Sequence, residues 1–283
     1  MKIEIITTIE SEQAGTKATD FLANSSELSR QRIKDAMAKG AVWLKRGRGR
    51  KRLRKATEVL KRGDRIELHY DDDLLGRTAP TPLCLHDANG YSIWFKPAGL
   101  LSQGNDFGDH LSLLRLAEQM LEPRRAAFPV HRLDRETAGL MIVAHKAHLA
   151  SQLSALFREH KIEKHYRAWI LGELPDRGHI DARLDGKAAH TRYQRLAYNA
   201  DLNQSLADIE IDTGRTHQIR RHLAGVGHPV IGDPRYGERN KNREGLQLYA
   251  TQLAFECPLQ HRPVKFELSD AFLVEHCAYR QPA

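Results

Sequence analysis

The stretch that constrains this chain most runs from Phe128-Pro129-Val130, through His131-Arg132-Leu133-Asp134-Arg135-Glu136-Thr137, into Ala138-Gly139-Leu140-Met141-Ile142-Val143-Ala144. The apolar run at its end reads as a strand. Four charged side chains and a histidine are therefore packed between two hydrophobic segments. Arg132 and Arg135 flank Asp134, and nearby cations favour the ionised form of a carboxylate. An ionised carboxylate held by cations in a cleft can act as a nucleophile or a base. The same residues also suit a salt-bridged turn that pins a loop to a strand, since structural ion pairs use this chemistry too.

At 283 residues the chain has length for about two domains and for a core that needs no disulfides. Its three cysteines, Cys84, Cys257 and Cys277, are far apart and form no Cys-x-x-Cys pair. Neither a disulfide framework nor a zinc site is expected, and the thiols read as reduced in a cytoplasmic protein. The opening Met1-Lys2-Ile3-Glu4 is too charged for a signal peptide, and no apolar run approaches the ~18 residues of a membrane span. A net charge of +8 and a pI near 9.4 point to a polyanionic partner.

Residues 1–76 read as a first domain, 77–84 as a linker with Pro80 and Pro82, and 85–283 as a second domain. The first domain begins with a short strand around Ile3-Glu4-Ile5-Ile6, and a helix is expected over 14–23. Ser29 is a good cap for a helix over 30–39, and Gly40 follows it as a helix-ending glycine should. Strands are expected at 42–44 and, by alternation, at 65–70. Between them eight of the eleven residues from 45 to 55 are basic. That density suits phosphate binding better than a merely solvated hairpin tip. In the second domain strands are expected at 92–95, 140–144, 166–171, 207–212 and 264–268, with helices at 110–121, 149–157 and 216–224, and strands far outnumber βαβ repeats. This argues for α+β with a mixed, mainly antiparallel sheet.

Three ordered blocks resemble the RluA family of pseudouridine synthases: Tyr91 to Leu100 with Lys96-Pro97-Ala98-Gly99, His131 to Leu140, and Thr213-Gly214-Arg215-Thr216-His217-Gln218-Ile219-Arg220. The third block continues through His222-Leu223 to Gly232-Asp233 and Tyr236-Gly237. Ala138 stands where the family more often has serine, and Tyr249 where it usually has histidine. The serine-capped helix, Gly40, short strand and Arg62-Gly63-Asp64 turn resemble an S4-type RNA-binding domain. Thr16-Lys17-Ala18-Thr19-Asp20 departs from that domain's usual opening.

The resemblance implies a pseudouridine synthase fold preceded by a small S4-like α/β domain. It also implies an isomerase that needs no cofactor and no metal. Asp134 falls on the family's catalytic aspartate. Tyr166, within Lys164-His165-Tyr166-Arg167-Ala168, falls on its active-site tyrosine, as stacking ring or as base, although the same periodicity suits a buried strand tyrosine. Arg215 is expected to hold the aspartate, although it also suits a surface arginine before a helix. Arg132 is linked to flipping the uridine out of its RNA. Lys96, His131, His217 and Gln218 are placed with it on the substrate side. Arg30, Arg32 and Lys34, with Arg48, Arg50, Lys51 and Arg52 of the basic hairpin, are expected to face RNA. The expected partner is structured RNA, with large-subunit ribosomal RNA ahead of tRNA, bound by a monomer. The rivals are a non-catalytic RNA-binding assembly protein and a glycosidase-like hydrolase, which would need a second carboxylate such as Glu136 beside the first.

Overall fold

The computed structural model describes residues 1–238, 240 and 242–281. The chain divides into two compact units. The first comprises Met1–Ala79 and Gln103–Gln119, and the second Pro80–Ser102 and Met120–Ala283. The sequence reading placed the whole of 85–283 in one domain. The structure instead groups the seventeen residues from Gln103 to Gln119 with the first unit, through ion pairs described below.

In the first unit, β1 (Lys2–Thr8), β2 (Val42–Arg46), β3 (Gly49–Arg52) and β4 (Arg65–Asp71) form an antiparallel sheet in the order β1-β4-β2-β3. Helices α1 (Ala18–Ser26) and α2 (Arg30–Ala38) cover it, α3 (Asp72–Leu75) follows β4, and α4 (Leu113–Met120) ends the Gln103–Gln119 segment. The Ser29 side chain accepts from the Arg32 amide and starts α2, whose Ile33, Ala36 and Met37 are buried with Leu22, Leu44, Ile66 and Leu68. Gly40 adopts φ +82°, a left-handed conformation that favours glycine. Helix α1 starts four residues later than the sequence suggests, because Lys17 pairs with Val59 in an isolated β-bridge. β4 does not alternate as expected. Glu67 and His69 are buried along with their apolar neighbours, because arginines on the hairpin and at Arg65 satisfy Glu67.

The second unit is one ten-stranded sheet. In chain order its strands are β5 (Leu83–Asp87), β6 (Tyr91–Lys96), β7 (Phe128–Pro129), β8 (Ala138–Ala144), β9 (Glu163–Leu171), β10 (Arg177–Ile180), β11 (Thr191–Asn199), β12 (Gln204–Ile211), β13 (Leu248–Cys257) and β14 (Arg262–Glu267). The main order is β10-β11-β12-β9-β13-β8-β6-β5, with β14 on β13 and β7 on β8. Among the described residues only the β8–β13 pairing is parallel. Helices α5 (Ala147–Arg158), α6 (Gln218–Gly225) and α7 (Asp270–His276) complete the unit. The fold is α+β with mainly antiparallel sheets. Every residue of β8 is buried, as its apolar run requires. At Gly139, φ is +131° and an added Cβ would lie 2.3 Å from the Ala250 carbonyl oxygen, so β8 can lie this close to β13 only with glycine there. Among the described residues no helix is long and apolar enough to cross a membrane.

Candidate active site

The loop from Val130 to Thr137 feeds β8 at its meeting with β13 and carries Asp134. Its backbone is tied down. The Thr137 amide donates to the Asp134 carbonyl at 3.2 Å, and the Gly99 amide to the Arg135 carbonyl at 2.7 Å. Lys96, fully buried, donates its ammonium to the carbonyls of Pro97, Leu100 and Arg135. Burial pulls the Lys96 pKa down to about 7, against the upward pull of Asp134 and Glu136. Lys96, expected on the substrate side, therefore braces the loop from within and does not line the cavity around Asp134.

Asp134 lies with Arg132, Tyr166, Arg215, His217 and Arg220 in the lining of a cavity of about 110 Å³. The arginine that reaches the carboxylate is Arg220, with Nη1 3.3 Å from Asp134 Oδ2. Arg220 is 1% exposed, and its Nε and Nη2 grip both oxygens of Asp233 at 2.7 and 2.8 Å. Asp233 also accepts from the Arg235 and Tyr236 amides. Burial works most strongly against the Arg220 cation, but the bonds and charges of Asp233 and Asp134 together outweigh it, and the pKa is raised. A planar guanidinium can serve two carboxylates in this way, and an ammonium cannot match its fork.

Arg215, expected beside the aspartate, instead sits in the turn before α6 and donates Nε to the Ala188 carbonyl. The expected helix start at 216 is displaced because His217 takes a left-handed φ of 54°, so α6 begins at Gln218 and Arg220 falls in its buried first turn. The signal was present in the sequence. Arg220 lies between Ile219 and Leu223, on the apolar stripe of a short helix, where a charged residue needs a partner. Arg132 is exposed, and Arg135 pairs with Glu136, so neither flanking arginine holds Asp134.

Two more expected substrate contacts are structural. His131 accepts the Ile142 amide on Nε2 at 2.9 Å and stacks on Phe157, and burial pushes its pKa down to about 3, so it is a neutral brace for β8. Gln218 is buried, accepting from Thr213 and the Arg215 amide and donating to His190 and Thr191. His217 does line the cavity, its Nδ1 bonded to the Tyr236 hydroxyl and its Nε2 3.7 Å from Asp134. Tyr166, on β9, has no hydrogen-bond partner for its hydroxyl among the described residues. Burial and then the Asp134 charge both push its phenol pKa up, which favours a stacking ring over a base. Glu136 points its carboxylate to within 3.9 Å of Arg220 but does not line the cavity, so the paired-carboxylate geometry of a glycosidase is missing. Tyr249 is buried and donates to Gln247, away from the carboxylate.

The comparisons with known proteins bear on this arrangement. Residues 90–225 match the family model described as RNA pseudouridylate synthase. A protein of Aquifex aeolicus (strain VF5), described as an uncharacterized RNA pseudouridine synthase, is 30% identical over 95% of this chain and 95% of its own. The chain belongs to the RNA pseudouridine synthase family. This synthase is thus an isomerase acting on RNA. A tRNA pseudouridine synthase C of Haemophilus ducreyi (strain 35000HP / ATCC 700724) is 33% identical over 68% of this chain and 85% of its own. The ribosomal large subunit pseudouridine synthase D of Yersinia pestis is 28% identical over 86% and 80%. The solved structure of human RNA Pseudouridylate Synthase Domain Containing 4 superposes with a TM-score of 0.54 at 25% identity, covering 67% of this chain and 90% of that one.

The basic residues of the synthase's first unit divide into two sets. Arg50 pairs with Glu67 at 2.6 Å and Asp106 at 2.9 Å, and Arg52 with Asp109 at 3.1 Å. Arg54 also pairs with Asp109. Arg50 and Arg52 pack on the Trp43 ring, 3.9 and 4.2 Å from its centroid, and the Trp43 indole donates to the Asp106 carbonyl. These pairs tie the Gln103–Gln119 segment to the hairpin, so Arg50 and Arg52 are not free for phosphate as the sequence suggested. Arg30 and Arg32 are exposed but paired with Asp20 and Asp72. Lys34, Arg48 and Lys51 are exposed and have no carboxylate partner among the described residues.

Proposed function

We propose that this isomerase converts uridine to pseudouridine in large-subunit ribosomal RNA, with Asp134 as the reacting carboxylate. The supporting observation is the Asp134 carboxylate at the cavity wall, touched by an arginine that is itself fixed by Asp233. The reaction breaks the N-glycosidic bond, turns the uracil and joins its C5 to the same sugar carbon. One proton leaves C5 and one is gained at N1, so nothing is oxidised. A carboxylate beside the anomeric carbon stabilises or captures the electron-poor sugar, as in glycoside cleavage. Arg220 orients that carboxylate. Tyr166 offers its ring face to the uracil. A base inside folded RNA must be flipped out to reach such a cavity, and Arg132, exposed and without a carboxylate partner among the described residues, is suited to fill the gap it leaves.

Ribosomal RNA is preferred over tRNA because one large-subunit relative aligns over 86% of this chain, more than the 68% of the tRNA relative, although two other large-subunit relatives align over about half. Lys34, Arg48 and Lys51 are the cations of the S4-like first unit best placed to meet RNA phosphates. The test is to map pseudouridines in total RNA from a strain lacking the gene, with wild type or Asp134→Asn supplied back. One large-subunit site should vanish and return only with wild type. Loss of a tRNA site instead would reassign the substrate.

A further inference from the structure

Among the described residues the Asp134 carboxylate has one direct hydrogen bond, at 3.3 Å, to an arginine whose other donors are committed to Asp233, with His217 Nε2 farther off at 3.7 Å. A single long contact fixes the carboxylate's direction only in part, so the rest must come from the backbone that carries it. Two of the ties on that backbone, at Asp134 and Arg135, are described above. The third lies on Leu133, just before Asp134. The Ser102 hydroxyl donates to the Leu133 carbonyl at 2.6 Å and accepts from the Leu133 amide at 2.9 Å. One side-chain oxygen thus meets both polar groups of one residue. The Leu133 carbonyl belongs to the peptide plane shared with Asp134, so fixing it fixes the bond from which the Asp134 Cα departs. Ser102 and Leu133 are both buried, which limits the access of water to either bond.

The geometry points to Ser102 as a positioning residue for the isomerisation, holding the Leu133–Asp134 peptide so that the carboxylate faces the sugar carbon. This rests on Asp134 being the reacting group. Ser102 itself touches no substrate. Its loss should slow the chemical step and leave RNA binding alone, whereas a purely structural serine would change melting and nothing at saturation.

The experiment uses the full chain and total RNA from the deletion strain labelled with tritium at uridine C5, reading tritium release under single turnover. Ser102→Ala should lower the rate at saturating enzyme by about 100-fold, the scale of a 1 Å misplacement, while half-saturation moves less than about three-fold. Ser102→Thr, which keeps the hydroxyl, should recover to within about ten-fold of wild type. Ser102→Cys, with a weak donor and acceptor of similar size, should fall between, and it replaces the alanine variant if that one is unfolded by circular dichroism at the assay temperature. A folded Ser102→Ala or Ser102→Cys at wild-type rate overturns the proposal, as does a folded Ser102→Thr as slow as Ser102→Ala. Asp134→Asn is run alongside. Turnover there would sink the reading of Asp134 itself, which is a different failure.

Discussion

In the first unit Asp109 takes Arg52 and Arg54 together, and Glu67 and Asp106 share Arg50. In the second, Arg220 gives two donors to Asp233 and leaves one, at 3.3 Å, for Asp134. The residue types are the same, but their pairing differs. At Arg50, Arg52 and Arg54, charge is used up within the protein, and the result is a clamp between the hairpin and the Gln103–Gln119 segment. Around Arg220 the fork is saturated on one side only. Asp233 fixes the guanidinium, and Asp134 remains a carboxylate with capacity to spare. Arginine and aspartate in close sequence therefore do not by themselves mark a reactive site. The distinguishing feature is a fixed arginine facing a carboxylate that is not fully paired.

The hardest test of that contrast is Arg220→Lys. An ammonium cannot keep Asp233 and Asp134 together, so turnover should fall by about 10²- to 10³-fold, and leaving Asp233 buried without its fork should cost about 3 kcal/mol of stability. Single-turnover kinetics and urea unfolding check it, and a wild-type rate would dissolve the contrast. On the hairpin side, Arg50→Ala with Arg52→Ala should destabilise the protein by about 2–3 kcal/mol and barely alter the salt dependence of RNA binding. Arg48→Ala with Lys51→Ala should do the reverse, shifting stability by less than about 0.5 kcal/mol and flattening the slope of log affinity against log salt by about 1.4–1.8.

Lys96 supplies a third case, a buried cation bonded to carbonyls and, among the described residues, to no carboxylate. Its folded pKa, near 7, lies below that of an unfolded lysine, so between about pH 7 and 10 the unfolded chain keeps a proton that the native state has released. Stability should therefore rise with pH in that window. Relative to Lys96→Met, wild type should gain about 2 kcal/mol between pH 7 and pH 9, measured by urea unfolding. Parallel pH profiles for the two proteins would show that Lys96 stays charged. The smallest effect is expected from Tyr166→Phe. If the ring stacks and the hydroxyl stays protonated, turnover should remain within about ten-fold of wild type, and a collapse of tritium release would restore the base role.

Much of this was legible in the sequence because it rests on local rules. The loop into β8, the Ser29 cap and the mainly antiparallel sheet follow from apolar runs and capping chemistry. The three blocks mark which loops matter. What the sequence did not yield was which polar residues turn inward. Lys96, His131 and Gln218 look like substrate contacts because they are polar and sit in functional blocks. Their burial depends on carbonyls and amides that approach only in the folded sheet. Arg215 and Arg220 exchange places for one local reason, the left-handed His217 that delays α6. The Gln103–Gln119 segment joins the first unit through pairs such as Arg52–Asp109, fifty-seven residues apart, which no periodicity could signal.

The most direct test of the account is Asp134→Asn, which keeps the shape of the side chain and removes its charge. Isomerisation of deletion-strain RNA and RNA affinity should be measured on the same preparation. The account predicts a rate at least about 10³-fold below wild type, with affinity changed by less than about three-fold. Residual turnover above about one hundredth of wild type would contradict it, because a carboxylate that reacts with or stabilises the sugar cannot be lost so cheaply.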